Sequence, residues 1–331
     1  MKRTALIMAL VGIALFTAVL VWRGAADMAS ALAAAGWGLV VVAAWHVLPL
    51  IIDSHAWRIL FERPRPGPWR IVWARWIGES INGLLPVAQV GGDVAKARLL
   101  VLRGWPGAPV GATVVVDTTL AVATQMVFAL MGVAMLLALL DRPELAWALV
   151  AGIAVMATLV GLFYRLQRGG LFGGLAGLLH KLTGGTQALD FIGSGRELDR
   201  AIGAIYAQPM LTLRAAAWRL FGWLAGVGEV WLALYFLGAP VSLADALMLE
   251  ALGQAVRGAA FAIPGALGVQ EGGYVLLGSL IGLSPDTALA LSLSKRVREL
   301  AFGIPGLVAW QLAEGRALQR PRRTKHSVQE H

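Results

Sequence analysis

Apolar residues in this chain run together instead of alternating with polar ones. Six stretches dominate, at residues 4–22, 38–52, 118–140, 145–164, 220–237 and 286–312. A helix needs about 20 residues to cross the hydrocarbon of a bilayer, so the pattern predicts six full spans. The first run follows Lys2 and Arg3. It is longer than the roughly 7–15 apolar residues of a signal-peptide core, which favours an uncleaved span. Residues 118–140 and 145–164 read as a tight hairpin.

Two further stretches, 69–103 and 245–283, are apolar but broken by proline, glycine and charge. The first contains Glu79-Ser-Ile-Asn-Gly-Leu-Leu-Pro86-Val-Ala-Gln-Val-Gly-Gly-Asp93 and the second Arg257-Gly-Ala-Ala-Phe-Ala-Ile-Pro264-Gly-Ala-Leu-Gly-Val-Gln-Glu271. Each has a charged residue seven before a proline and an acid seven after it. Non-helical backbone at membrane depth is tolerated only where protein or a water-filled cavity surrounds it. The pattern therefore predicts two re-entrant helical hairpins, with Pro86, Gly91, Gly92, Pro264, Gly265 and Gly268 as hinges. Two ordinary kinked hairpins, giving ten crossings, are the alternative.

Composition agrees with the runs. The chain has 331 residues, 58% hydrophobic and 14% charged, against about a quarter charged in soluble domains. It has no cysteine, which excludes disulfides, thiolate chemistry and cysteine-bound metals. The net charge is +9, and its distribution orients the chain. Arg58, Arg63, Arg65, Arg70 and Arg75 form one basic segment, residues 165–219 a second and 316–325 a third. Lys and Arg gather on the cytoplasmic side, so both termini are expected there. The first hairpin then opens on the cytoplasmic side and the second on the opposite side, an inverted-topology repeat of the transporter kind. The whole is expected to be an all-α polytopic membrane protein. One transmembrane domain covers residues 1–315, an amphipathic cytoplasmic segment lies at 165–219, and 316–331 form a basic tail. The basic residues form no stripe with aromatics, so nucleic acid is not an expected partner.

Charge inside the apolar runs marks the candidate site. Lys295, Arg296, Arg298 and Glu299 fall near the middle of residues 286–312. Each cation at mid-depth costs about 2.5–3.5 kcal/mol on insertion scales, so acids must accompany them. Glu79, Asp93, Glu250, Glu271 and Glu299 are at hand. The candidate headgroup-binding set is Arg75, Glu79, Asn82, Gln89, Asp93, Arg257, Gln270, Glu271, Lys295, Arg296 and Arg298. An electropositive cavity for an anionic headgroup, an internal salt-bridge lattice and a proton relay all fit these residues. Asp53, His55 and Asp117 read as span-end residues, Asp117 also as a helix cap or cavity wall. Glu229, in mid-span, is expected to pair with a base. No phosphate-binding Gly-Lys-Ser/Thr loop and no His-Glu-x-x-His site occurs. Val90-Gly-Gly-Asp93 lacks the spacing of an intramembrane aspartyl protease. No cofactor, metal or catalytic motif is expected.

The stretch Trp76-Ile-Gly-Glu-Ser-Ile-Asn-Gly-Leu-Leu-Pro-Val-Ala-Gln-Val-Gly-Gly-Asp93 resembles the signature of the flippase-like membrane proteins, which include the membrane domain of lysylphosphatidylglycerol synthase. The likeness recurs at Ile263–Gly273 and Ser294–Gly306. With Trp45-His-Val-Leu-Pro49 and Val116-Asp-Thr-Thr119 it is similar to the hopanoid-biosynthesis-associated branch. The resemblance implies a bacterial inner-membrane protein that moves or presents hopanoid-related or anionic lipids, with hopanoid-biosynthesis enzymes as partners. A scaffold for those enzymes and an intramembrane lipid-modifying enzyme are the alternatives. The sequence shows no soluble aminoacyltransferase domain, so lysyl transfer to lipid is not expected.

Overall fold

The computed structural model describes residues 36–85, 90–139, 146–169, 195–260, 266 and 268–319. The expected first span, residues 170–194 of the amphipathic segment, the tail beyond 319, and Pro86, Gln89, Pro264 and Gly265 lie outside the described residues. All regular structure within them is helical: α1 (Gly38–Trp45), α2 (Val47–Ile59), α3 (Pro68–Leu84), α4 (Gly91–Val101), α5 (Gly107–Leu139), α6 (Ala146–Arg168), α7 (Gly195–Tyr206), α8 (Pro209–Phe236), α9 (Leu243–Ala259), α10 (Val269–Ser279) and α11 (Pro285–Gln319).

Local chemistry sets several boundaries. Pro68 and Pro209 open α3 and α8, where a missing N–H costs nothing because the first-turn donors have no intrahelical acceptor. At the start of α9 the Ser242 hydroxyl accepts from the Asp245 N–H at 3.1 Å, and the Asp245 carboxylate accepts from the Ser242 N–H. That reciprocal cap is typically worth about 1 kcal/mol.

Two groups of helices repeat one plan. The stretch α1–α2 and then α3, α4 and α5 correspond to α8, α9, α10 and α11. Helices α3 and α9 have 17 residues each, and α4 and α10 have 11 each. Pro86 and Pro264 stand 178 residues apart, and the same interval separates Gly91 from Val269 and Gly107 from Pro285. In each group the short arm packs on the long one, and the following helix packs on the short arm. The groups interlock. Helix α5 lies along α9, and α11 lies along α3. Each of these interfaces carries a side-chain to carbonyl hydrogen bond. Gln125 Nε2 donates to the Gln254 carbonyl at 3.0 Å, and Trp76 Nε1 donates to the Phe302 carbonyl at 3.0 Å. At the centre, α1–α2 runs antiparallel to its counterpart α8. Gly38 meets Phe236, Trp45 meets Gly228 and Asp53 meets Gly222.

Burial is distributed as lipid solvent demands. Arg75, Lys96, Asp117, Glu229, Glu250 and Lys295 are each at most 4% exposed, whereas Val40, Val122, Val127, Met135, Ile304 and Val308 are all more than 39% exposed. Water would favour the reverse, and ionisable groups in membranes face the bundle interior. This is a helical membrane protein. By length, hydropathy and low charge, Gly38–Ile59 and Gly107–Leu139 qualify as spans. Helices α8 and α11 are long, at 28 and 35 residues, and carry the charges that built the candidate site.

The structure moves three expected boundaries. The third run begins at Gly107, not 118, because Asp117 is neutralised inside α5 and does not end it. The fifth run begins at Pro209, which places Arg214 and Arg219 within α8. The second run extends to Ile59, so Asp53 and His55 lie inside α2. In each case a charge was read as a helix end where tertiary partners keep it within the helix.

Candidate functional site

The helical spacing on α11 turns Lys295, Arg298 and Phe302 toward α8 and α1, and Arg296 and Glu299 toward the second hairpin. Lys295 Nζ lies 2.6 Å from Glu250 of α9 and 3.8 Å from Glu229 of α8. Arg298 Nε lies 2.9 Å from Glu229, which supplies the basic partner expected for that acid. Glu299 receives Arg257, with Arg298 at 3.7 Å and Arg296 at 3.6 Å. Arg296 also holds Glu271 at 3.0 Å. Glu271 accepts from the Gly268 N–H at 2.7 Å, so one carboxylate caps α10 and ties it to α11. Gln270, 3% exposed, bridges Arg257 and Ser292.

A second lattice occupies the first group. Asp117, buried in mid-helix, accepts from Arg75 at 2.7 Å and Lys96 at 3.1 Å. Lys96 continues to Asp93 at 2.6 Å. Both cations lie over the Trp57 ring, at 5.7 and 5.1 Å. Asp117 is therefore neither a cap nor an interfacial residue. Lys295 stands 178 residues after Asp117, so equivalent positions of the two groups carry opposite charges, each bedded among partners of the other sign.

His46, at the junction of α1 and α2, joins the lattices. Its Nδ1 lies 2.7 Å from Arg298 Nη1 and 3.4 Å from Glu229, and its Nε2 lies 3.9 Å from Glu79. Glu79 is also 3.8 Å from Arg75.

Between the lattices lies a cavity of about 320 Å³, walled by α1–α2, α3, α8, α9 and α11. Its ionisable lining consists of Asp53, Glu79, Glu229, Glu250 and Glu299, with Arg219, Arg257, Arg298 and His46. Arg219 and Asp53, both on its wall, pair at 2.8 Å, and Asp53 Oδ1 and Arg219 Nε have no hydrogen-bond partner among the described residues. Glu79, with a side chain 40% exposed, is the acid most open to a ligand.

The cavity separates the predicted residues. Glu79, Asn82, Arg257 and Arg298 line it. Arg75, Asp93, Gln270, Glu271, Lys295 and Arg296 are not among its lining residues; Arg75, Gln270, Lys295 and Arg296 contact residues that line it, whereas Asp93 holds Lys96 and Glu271 holds Arg296. Asn82 has a local task as well: its side-chain oxygen accepts from the Gly92 N–H at 2.7 Å and closes the hairpin. Gly92 is a close-packing residue, since a Cβ there would strike the Gly78 carbonyl. Gly268 has a φ of +79°, a conformation that favours glycine. Sequence reasoning missed Lys96, Arg219 and the linking role of His46. The charge inside an apolar run that marked Lys295 was also present at Lys96 and Arg219. Lys96 lay inside the first expected hairpin and Arg219 inside the basic cytoplasmic segment, where a further cation drew no notice. The cavity wall carries charges of both signs, and cations behind it, Lys295, Arg75 and Arg296, pair with its acids.

The family model described as the lysylphosphatidylglycerol synthase TM region matches residues 9–306. No curated protein and no solved structure matches the chain.

Proposed function

This chain belongs to the lysylphosphatidylglycerol synthase TM region family, and from that premise we propose that it is a flippase-like lipid carrier of the bacterial inner membrane. The polar headgroup enters the central cavity and the acyl chains stay in the bilayer. The observation that carries this reading is a cavity of about 320 Å³, near the lower size limit of small-ligand sites, lined by charges of both signs between two proline-broken hairpins. A headgroup bearing both an anion and a cation matches that lining better than a purely anionic one. Guanidinium groups bind phosphate oxygens bidentately, and Glu79, half-exposed and held only by long contacts to Arg75 and His46, takes the cation. Hopanoid-related lipids belong in the same assay as candidates. The two groups act as inverted-topology repeats, with the 11-residue helices α4 and α10 as re-entrant arms, each too short for the roughly 20-residue span.

The test is lipid translocation in proteoliposomes. Glu79→Gln removes one exposed charge whose ion pairs are long, so the fold should survive. Translocation should fall at least tenfold, since a lost hydrogen bond to a charged group is worth about 1.5–3 kcal/mol. Arg98→Gln, outside the cavity and paired with Glu314 at 2.8 Å, should leave the rate unchanged. A folded Glu79→Gln variant that moves every lipid at the wild-type rate would favour a scaffold for lipid-biosynthetic enzymes. Product formation from the lipid would favour a lipid-modifying enzyme.

A further inference from the structure

A second cavity, of about 400 Å³, lies between α3, the end of α4 and α11, and shares no lining residue with the central one. Trp73 of α3, Leu99 and Leu102 at the end of α4, Arg103, and Ala309, Leu312, Ala313 and Arg316 of α11 line it. Its floor is apolar and its rim is cationic. Arg103 lies over the Trp73 ring at 3.8 Å. Neither Arg103 nor Arg316 has a carboxylate partner among the described residues. The adjacent acid, Glu314, is already engaged by both Arg98 nitrogens, at 2.8 and 3.2 Å. Arg70 is near enough for its like charge to act on Arg103. Trp69, 73% exposed, stands on the same helix end, as aromatic residues do at headgroup level.

The repeat supplies a control within the molecule. The positions equivalent to Leu99, Leu102, Ala309, Leu312 and Ala313, 178 residues away, are Leu277, Leu280, Met131, Ala134 and Met135. All are apolar, so the floor positions keep their character in the second group. Those equivalent to Arg103 and Arg316 are Ile281 and Ala138. The two sets of positions are alike in their floor residues and differ in their rim residues. Apolar floor residues follow from lipid contact at either end. Two guanidinium groups without a carboxylate partner among the described residues, at one end alone, select for charge.

We propose that this groove between α4 and α11 seats one anionic phospholipid, its phosphate held by Arg103 and Arg316 and an acyl chain lying over Leu99, Leu312 and Ala313. The site is independent of the central cavity. Basic pockets between membrane helices take anionic headgroups, at about 1 kcal/mol for each Lys or Arg near the surface. The bound lipid bridges the short arm of the first hairpin to the last helix.

The experiment is native mass spectrometry of the full chain in micelles holding equal amounts of phosphatidylglycerol and phosphatidylcholine. The wild type should retain phosphatidylglycerol preferentially. In Arg103→Gln/Arg316→Gln one such lipid should be lost, with affinity reduced roughly thirtyfold, the worth of two basic contacts. Ala313→Trp, which keeps both arginines and fills the groove, should lose the same lipid. It keeps the proposal open to refutation if the double variant does not fold. Glu79→Gln, in the central cavity, should retain the lipid even if it no longer transports. Equal retention of the two lipids by the wild type overturns the proposal. So does wild-type phosphatidylglycerol binding in a folded double variant or in Ala313→Trp.

Discussion

Asp117 shows at the scale of one residue what a buried charge does here. Its carboxylate is 2% exposed and is shared by Arg75 and Lys96, which are 3% and 4% exposed. Removing it leaves two cations in a dry site. Breaking a buried pair typically costs 3–5 kcal/mol, whereas exchanging a whole pair for apolar residues is often neutral. Asp117→Ala is therefore expected to destabilise the protein by about 3–5 kcal/mol, measured by denaturant unfolding in detergent. Lys295→Met should cost a similar amount, since Glu250 and Glu229 lose their cation. Lys295→Met combined with Glu250→Leu should cost less than either single change. Additive losses in that double variant would show that the two side chains do not act as a pair.

The hairpins are held at the scale of elements by close backbone approach as well as by charge. A Cβ on Gly92 would strike the Gly78 carbonyl, and one on Gly306 would strike the Ser80 hydroxyl. Gly92→Ala should push α4 away from α3, and Gly306→Ala should push α11 away from α3. Overpacking of this kind costs about 1–3 kcal/mol, readable as a lower thermal midpoint. Gly83 and Gly272 have open space around the same virtual atom. Gly83→Ala and Gly272→Ala should stay within about 1 kcal/mol of the wild type, the range of helix propensity. If Gly92→Ala behaves like Gly83→Ala, the close approach of the two arms is wrong.

The whole molecule is two interlocked groups around a charged centre, and the absence of native cysteine makes that arrangement directly testable. Leu84→Cys/Gly303→Cys should form a cross-link between α3 and α11, since Leu84 covers Gly303. Gly132→Cys/Ala251→Cys should do the same between α5 and α9, where Ala251 covers Gly132. Single cysteines at Arg70 and Ser242, near the first residues of the equivalent helices α3 and α9, should react with an impermeant thiol reagent from opposite faces of the membrane. Reaction from the same face would refute the inverted arrangement of the two groups.

Much of this was legible in the sequence. Unbroken apolar runs can be solvated only by lipid, so the membrane class and the helical content follow from composition and pattern alone. The paired prolines located both hairpins, because a helix break leaves the same local mark wherever it occurs. Mid-run charges pointed to Lys295, Arg298 and Glu229, because their insertion cost demands partners. Partner identity depended on tertiary structure. Asp117 read as a span-end residue, Arg219 as part of a basic segment and Lys96 drew no notice until the packing of α2, α3, α4, α5 and α8 placed an opposite charge against each. The mixture of charges in the cavity wall was decided the same way, since a count of cations along one helix cannot see the acids that other helices bring to it.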